Sequence, residues 1–137
     1  MFDTLDISAS ALQAQRTRMD TIAANIAGMN TTHDAAGRPN PYRRRFAVFA
    51  QGMGGHGDDA KKPGVHVSAV KLDESAFRKH FEPGNPDAGP DGMVLTPNVD
   101  MSVEFVNAIE CSRAYEANVT AMEVTKGMMN ASLRLLA

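Results

Sequence analysis

VDMSVEFVNAIECSRAYEANVTAMEVTKGMMNASLRLLA, residues 99–137, repeats its apolar and small side chains every seven positions to the last turn. Phe105, Ser112, Val119, Lys126 and Leu133 form one column of the heptad, and Ala108, Tyr115, Met122, Met129 and Leu136 fill the other. Gly127 is the only glycine inside. Just before it, in Pro97-Asn98-Val99-Asp100, Asn98 or Asp100 can accept hydrogen bonds from the orphan amides of a first turn. Asp100 and Glu104 suit the positive end of a helix. The stretch reads as one helix on the order of 55 Å long at about 1.5 Å per residue, too long for a chain of 137 residues to bury alone.

The front of the chain is built the same way on a shorter scale. Between residues 3 and 29, Leu5, Leu12, Met19 and Ile26 recur every seven positions, and Ser8, Gln15, Ile22 and Met29 form a second set. Ala9, Ala11, Ala14, Ala23 and Ala24 favour helix and permit close approach. Gly28 and Asn30 supply stop signals.

The middle is rich in Gly, Pro, Asn and Asp, with strand-like stretches at Tyr42 to Gln51, Val65 to Leu72 and Met93 to Leu95. Phe46, Val48, Phe49, Val65, Val67, Val70, Phe77, Phe81 and Leu95 can make a small cluster that leans on the helices or on neighbours, because a segment this short buries little by itself. The expected fold is mainly α: long N- and C-terminal helices packed as a coiled-coil-like hairpin, with a short-strand and loop insertion between them. Its parts are an axial helix in 1–30, a middle region in 31–97 and a second axial helix in 98–137, all one structural unit.

Composition narrows the function. Hydrophobic residues make up 43% and charged residues 22%, as in folded soluble proteins and unlike disordered chains. A net charge of −2 gives no field that draws the molecule to nucleic acid or an anionic membrane. The single Cys111 excludes an intramolecular disulfide. Met1 to Asp6 lacks the basic and apolar regions of a cleavable signal, so no Sec-type export is expected. Apolar runs such as Phe46 to Ala50 are about a quarter of the ~20 residues a spanning helix needs.

A heptad stripe is often an ordinary internal core. Here the second helix outruns the first, leaving Met129, Leu133 and Leu136 to be covered by other molecules, and a non-closing contact between identical subunits builds helical filaments. The expected subunit interface is Leu5, Leu12, Met19, Ile22, Ile26, Met29, Phe105, Ala108, Tyr115, Val119, Met122, Met129, Leu133 and Leu136. The alternative is a non-filamentous helical adaptor that binds one partner through the same seams.

Several stretches along the chain carry a family resemblance. Ser10 to Gln15 followed by Ala24-Asn25-Ile26-Ala27 resembles the N-terminal signature of the flagellar rod and hook axial proteins. Tyr42-Arg43, Glu82-Pro83-Gly84-Asn85-Pro86 and Pro97-Asn98-Val99-Asp100 look like the proximal-rod members, and Ser112-Arg113-Ala114-Tyr115-Glu116-Ala117-Asn118 is similar to the family's C-terminal motif. Two positions depart: Gly28 stands where the first signature usually has a second Asn, and Cys111 precedes the Tyr motif. The resemblance implies a structural subunit of the proximal rod, exported unfolded by the flagellar type III apparatus and polymerised in the periplasm into a tubular shaft that carries torque. It implies as partners other copies of itself, other proximal rod proteins, distal rod proteins, and an export-gate or inner-ring adaptor. No enzyme activity, cofactor or metal is expected.

Several motifs imitate chemistry. Gly52-Met53-Gly54-Gly55-His56-Gly57 fits G-x-G-x-x-G, with Asp73 and Glu74 about twenty residues on, but no helix signal follows to face a pyrophosphate. His33, His56, His66 and His80, with Asp58 or Asp59, lack the spacing of zinc motifs and read as loop histidines. Cys111 lies inside a helix without an activating arrangement and reads as a packed thiol. Tyr42-Arg43-Arg44-Arg45 is a basic aromatic patch on an acidic chain, read as a strand edge or a contact with an acidic neighbour. In the C-terminal seam, Lys126 reads as a snorkelling side chain and Ser112 as a packed one.

Overall fold

A computed structural model describes residues 2–52, 54 and 63–136. Two helices dominate, α1 at Phe2–Gly28 and α2 at Met101–Leu136. Asp100 starts α2: its Oδ1 accepts hydrogen bonds from the amides of Ser102 at 2.9 Å and Val103 at 3.4 Å, a cap worth about 1 kcal/mol. Asn98, the other candidate cap, is used elsewhere.

The helices are antiparallel. Gln15 meets Cys111, Arg18 meets Glu110 and Asn25 meets Glu104, so α2 runs backward as α1 runs forward. Since α1 has 27 residues and α2 has 36, the last turns of α2 project past the start of α1 by roughly 14 Å. Polar side chains on the inner side of α2 satisfy themselves locally: Asn118, Thr125 and Ser132 donate to carbonyls four residues back.

α1 is the middle layer, meeting α2 and also the hairpin of β1 (Arg45–Gln51) and β2 (Val65–Leu72). This pair is antiparallel, with a bulge between Val48 and Phe49. A second antiparallel pair joins β3 (Arg78–Phe81) to β4 (Met93–Thr96). The two pairs are separate two-stranded sheets.

The middle departs from the expectations in three ways. The first strand begins at Arg45, not Tyr42, because the Tyr42 amide donates to Thr31 O and the Arg44 amide to Asn98 Oδ1. β3 carried no strand signal: Arg78-Lys79-His80-Phe81 is charged and exposed throughout, and it is held by its pairing with β4. The apolar cluster does not form as a common core, since Phe46, Phe49, Val70, Phe81 and Leu95 are exposed. They lie on two separate two-stranded ribbons, of which only the β1–β2 ribbon packs on a helix, and such ribbons bury little. The small apolar core is instead Ala14, Ile22, Val94, Val99 and Cys111.

Candidate assembly site

Where the end of α1, the entry to β1 and the start of α2 converge, the chain buries a polar node. Glu104 is 0% exposed and Asn25 1%. One carboxylate oxygen of Glu104 accepts from Arg44 Nε at 2.7 Å and the other from Asn25 Nδ2 at 3.0 Å. Asn25 also binds Arg45 through both backbone groups, donating to its carbonyl and accepting from its amide, each at 2.8 Å. The Tyr42 hydroxyl donates to Asn25 Oδ1 at 3.2 Å. Among the described residues no buried side-chain polar atom lacks a partner, which is the condition for such a node to stabilise rather than cost.

Further bonds tie the node to the segment that follows β2. Asn98 accepts from the Arg44 amide at 3.0 Å and donates to Ser75 Oγ at 2.8 Å. The Asp73 amide donates to Arg44 O at 2.8 Å. The Asp73 carboxylate is held below its ordinary range by hydrogen bonds from Ser75, with Arg44 and Arg43 adding to the effect. Arg43 itself stacks over Phe77 at 4.3 Å. The basic patch is therefore largely consumed inside the fold.

Gly28 acquires a reason here. A Cβ at this position would lie 2.6–2.8 Å from the Tyr42 ring, so glycine lets the ring close over the end of α1. Cys111, the other departure, is buried, and its thiol donates to Gln15 O at 3.1 Å. Burial pushes its pKa up, which keeps the thiol unreactive.

The seam residues divide by depth. Ile22 is buried within the chain; Leu5, Leu12, Met19, Ile26, Met29, Ala108, Val119, Met122 and Met129 are half-buried; Phe105, Tyr115 and Leu133 are exposed. The side chain of Leu136 lies outside the described residues. The deepest positions of α2 are Glu104 and Cys111, one place earlier than the Phe105 column, because these two have partners on α1 or at its end. Past the start of α1, Met128 and Leu133 stay 61% and 63% exposed. Lys126 is exposed and Ser112 half-buried.

The imitative motifs separate just as clearly. The Gly52 amide donates to Gly64 O at 2.9 Å and its carbonyl accepts from His66 Nδ1 at 2.9 Å, so β1 turns into an antiparallel hairpin rather than a strand-to-helix phosphate cradle. Met53, Gly55, His56, Gly57, Asp58 and Asp59 lie outside the described residues. His33 pairs with Asp87 and His80 with Glu82. Among the described residues no three His, Cys, Asp or Glu side chains gather as a metal site.

Residues 5–32 match the family described as Flagella basal body rod protein, and residues 91–135 the one described as Flagellar basal body rod FlgEFG protein C-terminal. The chain is 40% identical to flagellar basal-body rod protein FlgC of Bacillus subtilis, across 98% of this chain and 97% of that one. It is 38% identical to FlgC of Yersinia enterocolitica over the same shares, and 32% identical to FlgC of Borreliella burgdorferi over 99% and 97%. The chain belongs to the FlgC family of flagellar basal-body rod proteins. Membership places it with structural proteins of the rod and not with enzymes. The two matched segments are far apart in sequence, and in this FlgC-family fold they meet at the bond between Asn25 and Glu104. Asn25, Asn98 and Tyr42 are motif letters in the sequence; in the fold Tyr42 bonds Asn25 and Asn98 bonds Arg44, so all three belong to one node.

Proposed function

We propose that this chain is a subunit of the proximal rod, polymerising through its terminal helices into a tubular shaft that transmits torque from the motor. The observation that carries the proposal is the projecting end of α2, where Met128 and Leu133 are left largely exposed by a first helix nine residues shorter. Exposed apolar turns continuous with an internal helix pair call for another subunit. In the assembly, coiled-coil-like packing of Leu5, Leu12, Met19, Ile26, Met29, Phe105, Ala108, Tyr115, Val119, Met122, Met129, Leu133 and Leu136 against neighbours completes what the single chain leaves open. Ile22 supports these contacts from inside.

The partners under this reading are other copies of the chain, other proximal and distal rod proteins, and an export-gate or inner-ring adaptor at the base. The subunit reaches the periplasm by type III export. Its stiffness suits torque, because close-packed helices transmit strain with little compression. The test is purification of basal bodies from cells producing a tagged chain. Copurification with the rod, lost in Met122→Asp, is the expected outcome; a chain found only in the soluble fraction would refute the reading.

A further inference from the structure

Each helix has a free side turned away from the other. On α2 it holds Val106, Ile109, Arg113 and Glu116, spaced three and four apart, all exposed, and opposite the inward Glu104 and Cys111. On α1 it holds Ala27, Ala24, Asp20 and Arg16, also exposed and at helical spacing. The charged side chains of Arg113, Glu116, Asp20 and Arg16 make no ion pair or hydrogen bond with another described residue.

We propose that these two sides bind each other between copies, with α2 of one subunit packing antiparallel on α1 of the next. One register satisfies the whole face. Val106 falls on Ala27 and Ile109 on Ala24, so bulky side chains meet a flat alanine surface. In that register Arg113 faces Asp20 and Glu116 faces Arg16, two opposite-charge pairs of alternating sense. Farther along, Thr120 meets Gln13 and Val124 meets Ala9. A parallel arrangement cannot keep both ion pairs, because Arg113 and Glu116 would then run along α1 in the opposite order to Asp20 and Arg16.

The register also fixes a displacement. Within one chain Arg18 is level with Glu110, so Asp20 is level with residue 108, whereas between copies it meets Arg113. The neighbour is therefore shifted along the helix axis by about five residues, roughly 7 Å. A contact that uses different faces on its two sides and carries an axial step does not close as a dimer and propagates as a helix of subunits. The inference rests on the proposed rod function and names the surface through which copies of this chain meet.

The experiment introduces Ala27→Cys and Val106→Cys together in the full-length chain, oxidises intact cells, and isolates basal bodies before non-reducing electrophoresis. Cys111 is buried, so the unaltered chain is the blank. A ladder of chain multiples extending past the dimer is expected, at least tenfold stronger than from the out-of-register pair Ala27→Cys with Val124→Cys. Equal or absent linking in basal bodies that contain the chain overturns the register and leaves the rod reading intact. Product linked only to a different protein also overturns it, by assigning the face to another rod component. Absence of the chain from basal bodies overturns both. Asp20→Arg with Arg113→Asp is the second check: each alone lowers incorporation, and together they restore it.

Discussion

The side-chain amide of Asn25 engages both backbone groups of Arg45, accepting from its amide and donating to its carbonyl at 2.8 Å each, as a neighbouring strand would. The same Nδ2 donates to Glu104 at 3.0 Å. Asn25→Asp keeps the shape and the acceptor but removes that donor, turning three buried oxygens on one another. A loss of about 3 kcal/mol is expected at neutral pH, read by urea unfolding followed by circular dichroism. A change under about 1 kcal/mol would mean that water enters the node and the geometry is not obligatory.

Glu104 and Arg44 form the ionic half of the node. Glu104 is fully buried, while the Arg44 side chain keeps 24% of its exposure. Glu104→Ala is expected to cost about 2–4 kcal/mol, somewhat less than the loss of one partner in a wholly buried pair, because Arg44 can turn to water and to Asp73. Replacing both, as Glu104→Met with Arg44→Met, should cost less than the sum of the singles. A double-mutant cycle checks this; additive losses would show that the two side chains act independently.

These two residues also mark the boundary of what the sequence makes legible. Heptad spacing and a proline-asparagine start locate both helices within a residue or two, because periodicity and capping are local effects. The family motifs give the kind of assembly. The node is not local: Asn25, Arg44 and Glu104 are separated by up to 79 positions, and each alone reads as an ordinary polar letter. Glu104 looks like a charge favouring a helix start, when it is, with Cys111, one of the two buried side chains of α2 among the described residues. β3 was illegible for a related reason, since only its pairing with Met93–Thr96 makes a strand of Arg78–Phe81. The exposed helix faces lie between these cases, with their spacing visible and their orientation supplied by the fold.

Gly28→Ala brings a methyl group against the Tyr42 ring at 2.6–2.8 Å. The ring must swing away, loosening the Tyr42 hydroxyl from Asn25. Alanine favours helix over glycine by about 1 kcal/mol, yet the expected result is a net loss of about 1–2 kcal/mol from overpacking. Adding Tyr42→Ala should convert that penalty into a gain relative to Tyr42→Ala alone. Melting temperatures of the four chains decide it, and a stabilised single Gly28→Ala would contradict the contact.

Acid should weaken the junction of the middle region with α2. Asp73, held by Ser75, and Asp100, held first by Arg78 and then by the amides it caps, both have pKa values lowered from an ordinary 3.8. A depressed carboxylate contributes stability that is present above its unfolded value and lost as pH falls through its folded value. The decline from these groups therefore lies below about pH 4, with no change between pH 6 and 8. Asp73→Asn should flatten that acid limb in unfolding measurements from pH 6 to 2, and an unaltered slope would remove Asp73 from the account.

Leu133 and Ile22 separate assembly from folding. Leu133 is 63% exposed beyond the reach of α1, whereas Ile22 is 5% exposed between the helices and β1. Ile22→Asp buries an unpaired carboxylate and should prevent stable folding of the isolated chain. Leu133→Asp touches no internal contact of that kind, so the isolated chain should keep its stability to within about 0.5 kcal/mol. If the projecting turns of α2 are completed by a neighbour, the same Leu133→Asp chain is still excluded from basal bodies, because the desolvation cost of the new carboxylate falls on the contact between subunits. The two readouts are an unfolding curve and an immunoblot of purified basal bodies. Full incorporation of a stable Leu133→Asp chain would show that the end of α2 is not covered in the rod, and it would shift the assembly surface onto the paired outer faces of the two helices.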